Sequence, residues 1–348
     1  MRLADLHYHL PPDRIAQRPL AQRSASRLML LDRARAGVED RAFRELPDLL
    51  RPGDLLVLND TRVVAARLLG RRPTGGKVEL LLTDPVDDVG PPPPAGEGRL
   101  WWTLGRANRP LRPGQTVELE TASATVVEVG REGALLVSFS EPALAIAERE
   151  GQVPLPPYIK RPPEPADRER YQTIFARDPG AVAAPTAALH FDDATLAAVR
   201  ERGVALAAIT LHVGPGTFQP IKVDDLAQHR MGAERYTVPA ATAHAVRQAR
   251  ERGGRVIAVG TTSTRTLETA ADGGGGVVAG SGRSELFIVP GHRFRVVDAL
   301  LTNFHLPGST LIALVMALAG RERILEAYRL AVERGYRFFS YGDCMLIA

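Results

Sequence analysis

Cysteine is nearly absent from this chain: Cys344 stands alone among 348 residues, so neither a disulfide framework nor a thiolate metal cluster can form. Lysine is almost as scarce. Lys77, Lys160 and Lys222 are set against abundant arginine, and asparagine is confined to Asn59, Asn108 and Asn303. An arginine- and alanine-rich chain this poor in lysine points to a GC-rich genome more than to thermal adaptation. Long apolar runs are missing too. Leu311 to Ala319 is among the longest, well short of the roughly 20 residues that a membrane helix needs. The first residues, MRLADLHYHLPPDR, lack a basic stretch followed by an apolar one, so no export signal and a cytoplasmic location are expected.

What is present describes a globular protein. Apolar residues at 45% and charged residues at 24% can build a core under a charged surface, and the length suggests roughly two domains. The net charge of +4 permits a polyanionic partner without requiring one.

The texture changes twice along the chain. GDLLVL (53–58) is a short apolar run opened by Pro-Gly and reads as a buried strand that ends in the polar cluster Asn59-Asp60-Thr61-Arg62. From about 62 to 150, β-rich runs at Lys77–Leu82, Thr116–Glu120, Ala124–Val129 and Ala134–Phe139 alternate with turn signals, which suggests a small barrel or sandwich. VGPPPPAGEG (89–98) reads as a surface loop, because its prolines remove donors and fix φ. From about 151 the pattern is α/β. A helix is expected from an Asp192 cap to Arg202, a strand at 204–213, and a helix from Pro239 to Arg252. A strand at 255–259, another helix, and two C-terminal helices at 310–319 and 321–333 follow, while Gly273 to Gly276 reads as a flexible loop. The fold class is therefore α/β: a domain built from both chain ends (1–61 and 151–348), interrupted by a β-rich insertion at 62–150.

Several turns could carry chemistry. VIAVGTTSTRTLE sets Gly260, Thr261, Thr262, Ser263 and Arg265 where a strand gives way to a helix N-terminus, a place that in open α/β sheets either binds ligands or simply caps the helix. HVGPGTF (212–218) brings two glycines after a strand, for a tight turn or a close ligand approach. GGKV at 75–78 misses a phosphate-binding loop because no Ser or Thr follows the lysine, and no G-x-S-x-G elbow exists. The eight histidines show no metal-binding spacing, so no metal is expected. Four of them lie in unusual contexts: PTAALHF, TLHVGPGTF, HRMGAE and TNFHLPGST. Arg67, Arg71, Arg72 and Lys77 form a basic stretch that is either a solvated face or a phosphate contact.

Together these segments resemble the S-adenosylmethionine:tRNA ribosyltransferase-isomerase family of queuosine biosynthesis. The resemblance runs through LPPDRIAQRPL (10–20), GDLLVLNDTRVVAARLLG (53–70), TGGKVELLL (74–82), VPLPPYIKR (153–161) and RYQTIFA (170–176). It continues through AAPTAALHF (183–191), LHVGPGTFQPIK (211–222), VGTTSTRTLE (259–268), VDALLTNFHLPGSTL (297–311) and FFSYGDCMLI (338–347). Three positions depart from the family pattern: Gly232 replaces a usual histidine, Ala188 a usual glycine, and Cys344 a usual alanine.

The resemblance implies a mixed-sheet α/β domain carrying an inserted small β-barrel at 62–150. It also implies that the ribosyl part of S-adenosylmethionine is moved onto 7-aminomethyl-7-deazaguanine in a tRNA anticodon stem-loop and isomerised. Epoxyqueuosine forms, and adenine and methionine leave. S-adenosylmethionine is then a co-substrate, and no cofactor or metal is expected. His190, His212, His229, Glu234, His305 and Asp343 form the acid–base pool. Asn59, Asp60, Arg62, Thr186, Gly214, Gly216, Thr217, Gly260, Thr261, Thr262, Ser263, Arg265, Asn303 and Tyr341 are the candidate substrate-binding residues. Arg67, Arg71, Arg72 and Lys77 are assigned to tRNA. These loops are expected to converge on a single pocket, in a monomer. Two other classes stay open: an RNA-binding module without chemistry, and an S-adenosylmethionine methyltransferase, which the absence of a GxGxG loop disfavours.

Overall fold

The computed structural model describes residues 1–86, 98–218 and 221–348. Its centre is Leu55–Asn59, buried at every position because it is covered on both faces and flanked on both edges. Ala205–Leu211 and Val256–Val259 pair with it in parallel on either side, and Ala299–Asn303 extends the parallel set beyond Val256–Val259. Outside these four strands the directions mix. Glu234–Val238 runs antiparallel to Ala205–Leu211, and Gly280–Ser284 closes that edge. On the other side Cys344–Ile347 runs antiparallel to Ala299–Asn303, followed by Arg27–Leu31 and Glu39–Ala42, so both chain ends build one nine-stranded sheet.

The insertion is a closed six-stranded barrel. Lys77–Pro85 and Ala134–Phe139 bury alternate residues, the period-2 pattern expected when one face of each strand looks into a filled barrel. Val78, Leu80, Leu82, Val126 and Val137 fill its interior. Two of its strands escape a reading by composition. Arg67–Arg71 has arginine at both ends and an exposed Leu69, and Leu100–Ala107 starts just after the proline tract. Of the loop expected at 89–98, residues 89–97 lie outside the described residues. A short parallel pairing of Thr61–Val63 with Asp178–Ala181 leads the chain from the sheet into the barrel.

Helix ends follow local chemistry. The Asp192 carboxylate accepts from Thr195 N at 2.8 Å and starts the helix Asp193–Glu201. Ser309 caps Thr310–Ala319, and Gly320, at φ +89°, ends it and opens Arg321–Glu333. The glycine loop at 273–276 is tied down, contrary to expectation: the Asp272 carboxylate accepts from Gly274 N (2.8 Å) and Gly276 N (3.0 Å). The mixed-sheet α/β domain with an inserted barrel is the fold class expected from the sequence.

Candidate active site

A cavity of about 390 Å³ opens past the carboxyl ends of Val256–Val259 and Ala299–Asn303. Ligands in open α/β sheets bind at this end, because helix N-termini and their unpaired N–H groups point there. Gly260, at φ +90°, turns the chain from its strand into the helix Thr261–Thr269. The hydroxyls that follow divide by direction. Ser263 Oγ donates to Val259 O (3.0 Å), Thr264 Oγ1 to Gly260 O (3.1 Å) and Thr266 Oγ1 to Thr262 O (3.0 Å), so these three serve their own helix. Thr261 and Thr262 line the cavity, and the buried Thr262 Oγ1 has no hydrogen-bond partner among the described residues. A hydroxyl so placed costs roughly 1–3 kcal/mol until something accepts or donates to it.

Thr186, Asn303 and His305 complete the expected part of this wall. His305 Nε2 lies 2.8 Å from Thr302 Oγ1, its backbone N donates to the Tyr328 hydroxyl (3.1 Å), and its carbonyl accepts from the Tyr8 hydroxyl (2.5 Å). Burial pushes its imidazole down to about 3, so it is neutral at pH 7. Tyr158, Lys160, Tyr171 and Phe339 also line the cavity, and sequence reasoning missed all four. The signal was there: Lys160 is one of three lysines, and the aromatics lie in VPLPPYIKR, RYQTIFA and FFSYGDCMLI, three of the segments that carry the resemblance.

A second cavity, of about 580 Å³, lies where the α/β sheet meets the barrel. His212, Gly214, Gly216, His229 and Glu234 line it together with Thr83, Asp84 and Leu104 of the barrel. The partition between the cavities is one strand end, since Val213 faces the first while its neighbours His212 and Gly214 face the second. His212 Nδ1 lies 2.9 Å from Thr61 Oγ1, and burial, then the Arg235 charge, lower its pKa. Its ring packs against Gly180, where an added Cβ would sit 2.7 Å from Nδ1. His229 stands edge-on to Phe287 at 4.9 Å, and burial lowers its pKa. Glu234 is fully engaged: one oxygen accepts from Gly214 N (2.9 Å) and the other pairs with Arg265. Asp84 joins the barrel to the sheet by accepting from Arg235 (2.8 Å) and Arg283 (2.5 Å).

The expectation of a single pocket is therefore corrected. Polar side chains also satisfy neighbouring backbone groups and other side chains, and many of the candidates do that instead. Asn59 bridges to Leu211 through both its amide atoms (3.0 and 3.1 Å), and Asp60 accepts from Thr210 and Arg177 (2.6 Å each). Asp343 accepts from Arg27 N (3.0 Å) and Arg337 N (2.8 Å). Arg265 donates to Leu286 O and Ser284 O besides pairing with Glu234, so it faces away from the first cavity. The Tyr341 hydroxyl donates to Asp167 at 2.9 Å, beside a small recess it shares with His190. Arg62 is exposed over a separate hollow and lies 3.8 Å from Glu148. Thr217 belongs to the short turn Pro215–Phe218, and its side chain is outside the described part. No group of three His, Cys, Asp or Glu placed to hold a metal occurs among the described residues.

The basic stretch also divides. Arg67 pairs with Glu79 at 2.8 Å, and Arg72 donates to Pro110 O (3.2 Å) and reaches Gln115 (3.4 Å). Arg71 and Lys77 are exposed and sit directly opposite each other in the strand pair.

A parallel-stranded α/β core with a part-apolar cavity at its carboxyl edge, histidines kept neutral on two sides of one strand end, and a barrel at the rim defines a framework for acid–base chemistry on a small molecule. Comparison with known proteins makes this specific. The chain matches the family described as queuosine biosynthesis protein over residues 3–347, and it belongs to that family. A relative from Anaeromyxobacter sp. (strain Fw109-5) is 55% identical over all of this chain and 99% of its own length, and one from Geobacter sulfurreducens is 53% identical over the whole of both. Both are named S-adenosylmethionine:tRNA ribosyltransferase-isomerase. The crystal structure of an S-adenosylmethionine tRNA ribosyltransferase from Thermotoga maritima is 36% identical, covers 99% of this chain and all of its own, and superposes with a TM-score of 0.55. The chain is accordingly an enzyme of the transferase-isomerase class.

Proposed function

We propose that the first cavity binds S-adenosylmethionine and that the enzyme transfers its ribosyl portion to 7-aminomethyl-7-deazaguanine in a tRNA anticodon stem-loop. The product is epoxyqueuosine, and adenine, methionine and a proton are released. The observation that carries this reading is a cavity within the size range of small-molecule sites, placed at a helix N-terminus and holding a buried hydroxyl without a partner, in a chain matched end to end by ribosyltransferase-isomerases. The sulfonium charge acidifies the C5′ hydrogens. Loss of one as a proton starts the rearrangement, the amine nitrogen bonds to the ribosyl carbon and gives up a proton, and methionine and adenine each leave with the electron pair of the bond that breaks. Adenine takes up one of those protons. Proton transfers and displacements suffice, so the proposal includes no metal or redox cofactor.

His212 suits the amine step, since burial and the Arg235 charge lower its pKa and Thr61 fixes its ring at the cavity that adjoins the barrel. His305, with a pKa near 3, is too weak a base for that work and serves as a neutral hydrogen-bond partner in the first cavity. Arg71 and Lys77 supply exposed charge for tRNA phosphates, whereas Arg67 is already paired. The enzyme is proposed to act as a monomer in the cytoplasm. Mass spectrometry of the small-molecule products tests the reading. Free adenine and methionine are expected; S-adenosylhomocysteine would reveal a methyltransferase, and unchanged S-adenosylmethionine beside bound tRNA would reveal a binding module.

A further inference from the structure

One wall of the first cavity is built under strain. Phe339 has φ +72°, the only positive φ outside glycine among the described residues, and it is 7% exposed. Side chains with a Cβ adopt this region at a cost, and where it persists the surroundings must hold it. Here they do so on every side. Phe339 N donates to Phe304 O (3.1 Å), and Phe339 O accepts from Gly342 N (2.8 Å) and from Asn303 Nδ2 (2.8 Å). Because the Asn303 amide nitrogen is committed to that carbonyl, its Oδ1 accepts from His190 Nε2 (3.1 Å), and His190 Nδ1 then accepts from the Ser26 hydroxyl (2.8 Å). His190 thus lies beneath the wall rather than on it, and reaches the cavity only through Asn303.

The strain sets an aromatic pair. Phe339 stacks on Tyr158 with centroids 4.5 Å apart and ring planes inclined by 35°, and the Tyr158 hydroxyl bonds to Ser340 Oγ at 2.6 Å. Both rings line the cavity, which also holds the buried Thr262 hydroxyl, without a hydrogen-bond partner among the described residues. Flat aromatic walls beside an unsatisfied hydroxyl match a neutral heterocycle, whose faces stack and whose edge nitrogens accept and donate. We propose that Phe339 and Tyr158 form the subsite for the adenine ring of S-adenosylmethionine, and that His190 is a positioning residue that holds Phe339 through Asn303. This rests on the proposed function and names which part of the substrate the first cavity takes.

The test uses the full chain, with binding of S-adenosylmethionine, 5′-methylthioadenosine and free adenine measured by calorimetry and turnover read by adenine release. Phe339→Leu weakens all three ligands by about tenfold or more, the usual effect of losing a base-stacking ring, while tRNA affinity stays unchanged. Phe339→Tyr recovers most of that loss, which separates loss of the ring from misfolding. His190→Ala raises KM for S-adenosylmethionine more than it lowers kcat, and His190→Gln, which keeps a donor near the Nε2 position, restores KM; a merely structural role would move both parameters without rescue. If wild-type protein binds S-adenosylmethionine and Phe339→Leu binds it equally well, or if free 7-aminomethyl-7-deazaguanine competes at Phe339 where adenine does not, the subsite assignment is overturned and the proposed function stands. Wild-type protein that neither binds S-adenosylmethionine nor releases adenine overturns both.

Discussion

The two cavities share one strand end but differ in kind. The first is walled by Tyr158, Phe339, Val213 and the hydroxyls of Thr261 and Thr262, and its histidine is neutral. The second is lined by Lys222, Arg230, Glu234 and Arg235, and one side of it is barrel. His212 and Val213, just past the end of the strand Ala205–Leu211, serve separate spaces one residue apart. A site for a compact small molecule and a site for a larger, polyanionic partner can then abut without mixing their chemistry.

The largest effect that could break this division is expected at the Glu234–Arg265 pair. Arg265→Met leaves a buried carboxylate unpaired and should cost about 3–5 kcal/mol in urea unfolding. Glu234 also holds Gly214, so tRNA-dependent turnover should fall further than S-adenosylmethionine binding. Equal losses in both would show that the cavities act as one.

Acid should then act on the first cavity from beneath. Burial holds His190 at about 4, against an unfolded value near 6.5, so between those pH values the unfolded chain binds more protons than the folded one. Stability present above pH 6.5 is lost as pH falls toward 4, by roughly 3 kcal/mol for this residue. His305, held at about 3, acts in the same direction. Urea titrations at pH 7 and pH 4.5 should show the loss, and His190→Gln should show less of it.

A smaller change sharpens the comparison from the other side. Gly180→Ala drives a Cβ into the His212 ring, a crowding that costs about 1–3 kcal/mol, and should slow turnover while leaving adenine affinity alone. Calorimetry with adenine beside steady-state rates with tRNA reads both. Smallest in stability is charge reversal of Arg71 and Lys77, expected within about 0.5 kcal/mol because both are exposed. It should nonetheless weaken tRNA binding and flatten its dependence on salt; an unchanged slope would remove the barrel hairpin from the tRNA surface.

Some of the site was legible in advance because strand–turn–helix junctions have a local signature. Gly260, Thr261 and Thr262 carry that signature, Thr186, Asn303 and His305 came through the family resemblance, and all six line the first cavity. The aromatics were not, because a buried Tyr or Phe looks the same in sequence whether it fills a core or faces a ligand. The converse error fell on Asn59, Asp60, Asp343 and Arg265. A polar side chain can aim at a substrate or at a neighbouring protein group, and only the fold decides which.

Local chemistry alone determined the central apolar strands, the caps at Asp192 and Gly320, and the alternation that makes a barrel, since each depends on residues within a turn or a strand of one another. Tertiary structure decided what lies between the elements: the split into two cavities at Val213, the strained backbone of Phe339, and the ties of His190 to Ser26 and Asn303, 164 and 113 residues away. Such contacts arise only when distant segments pack, and no local pattern encodes which atoms will then lack a partner.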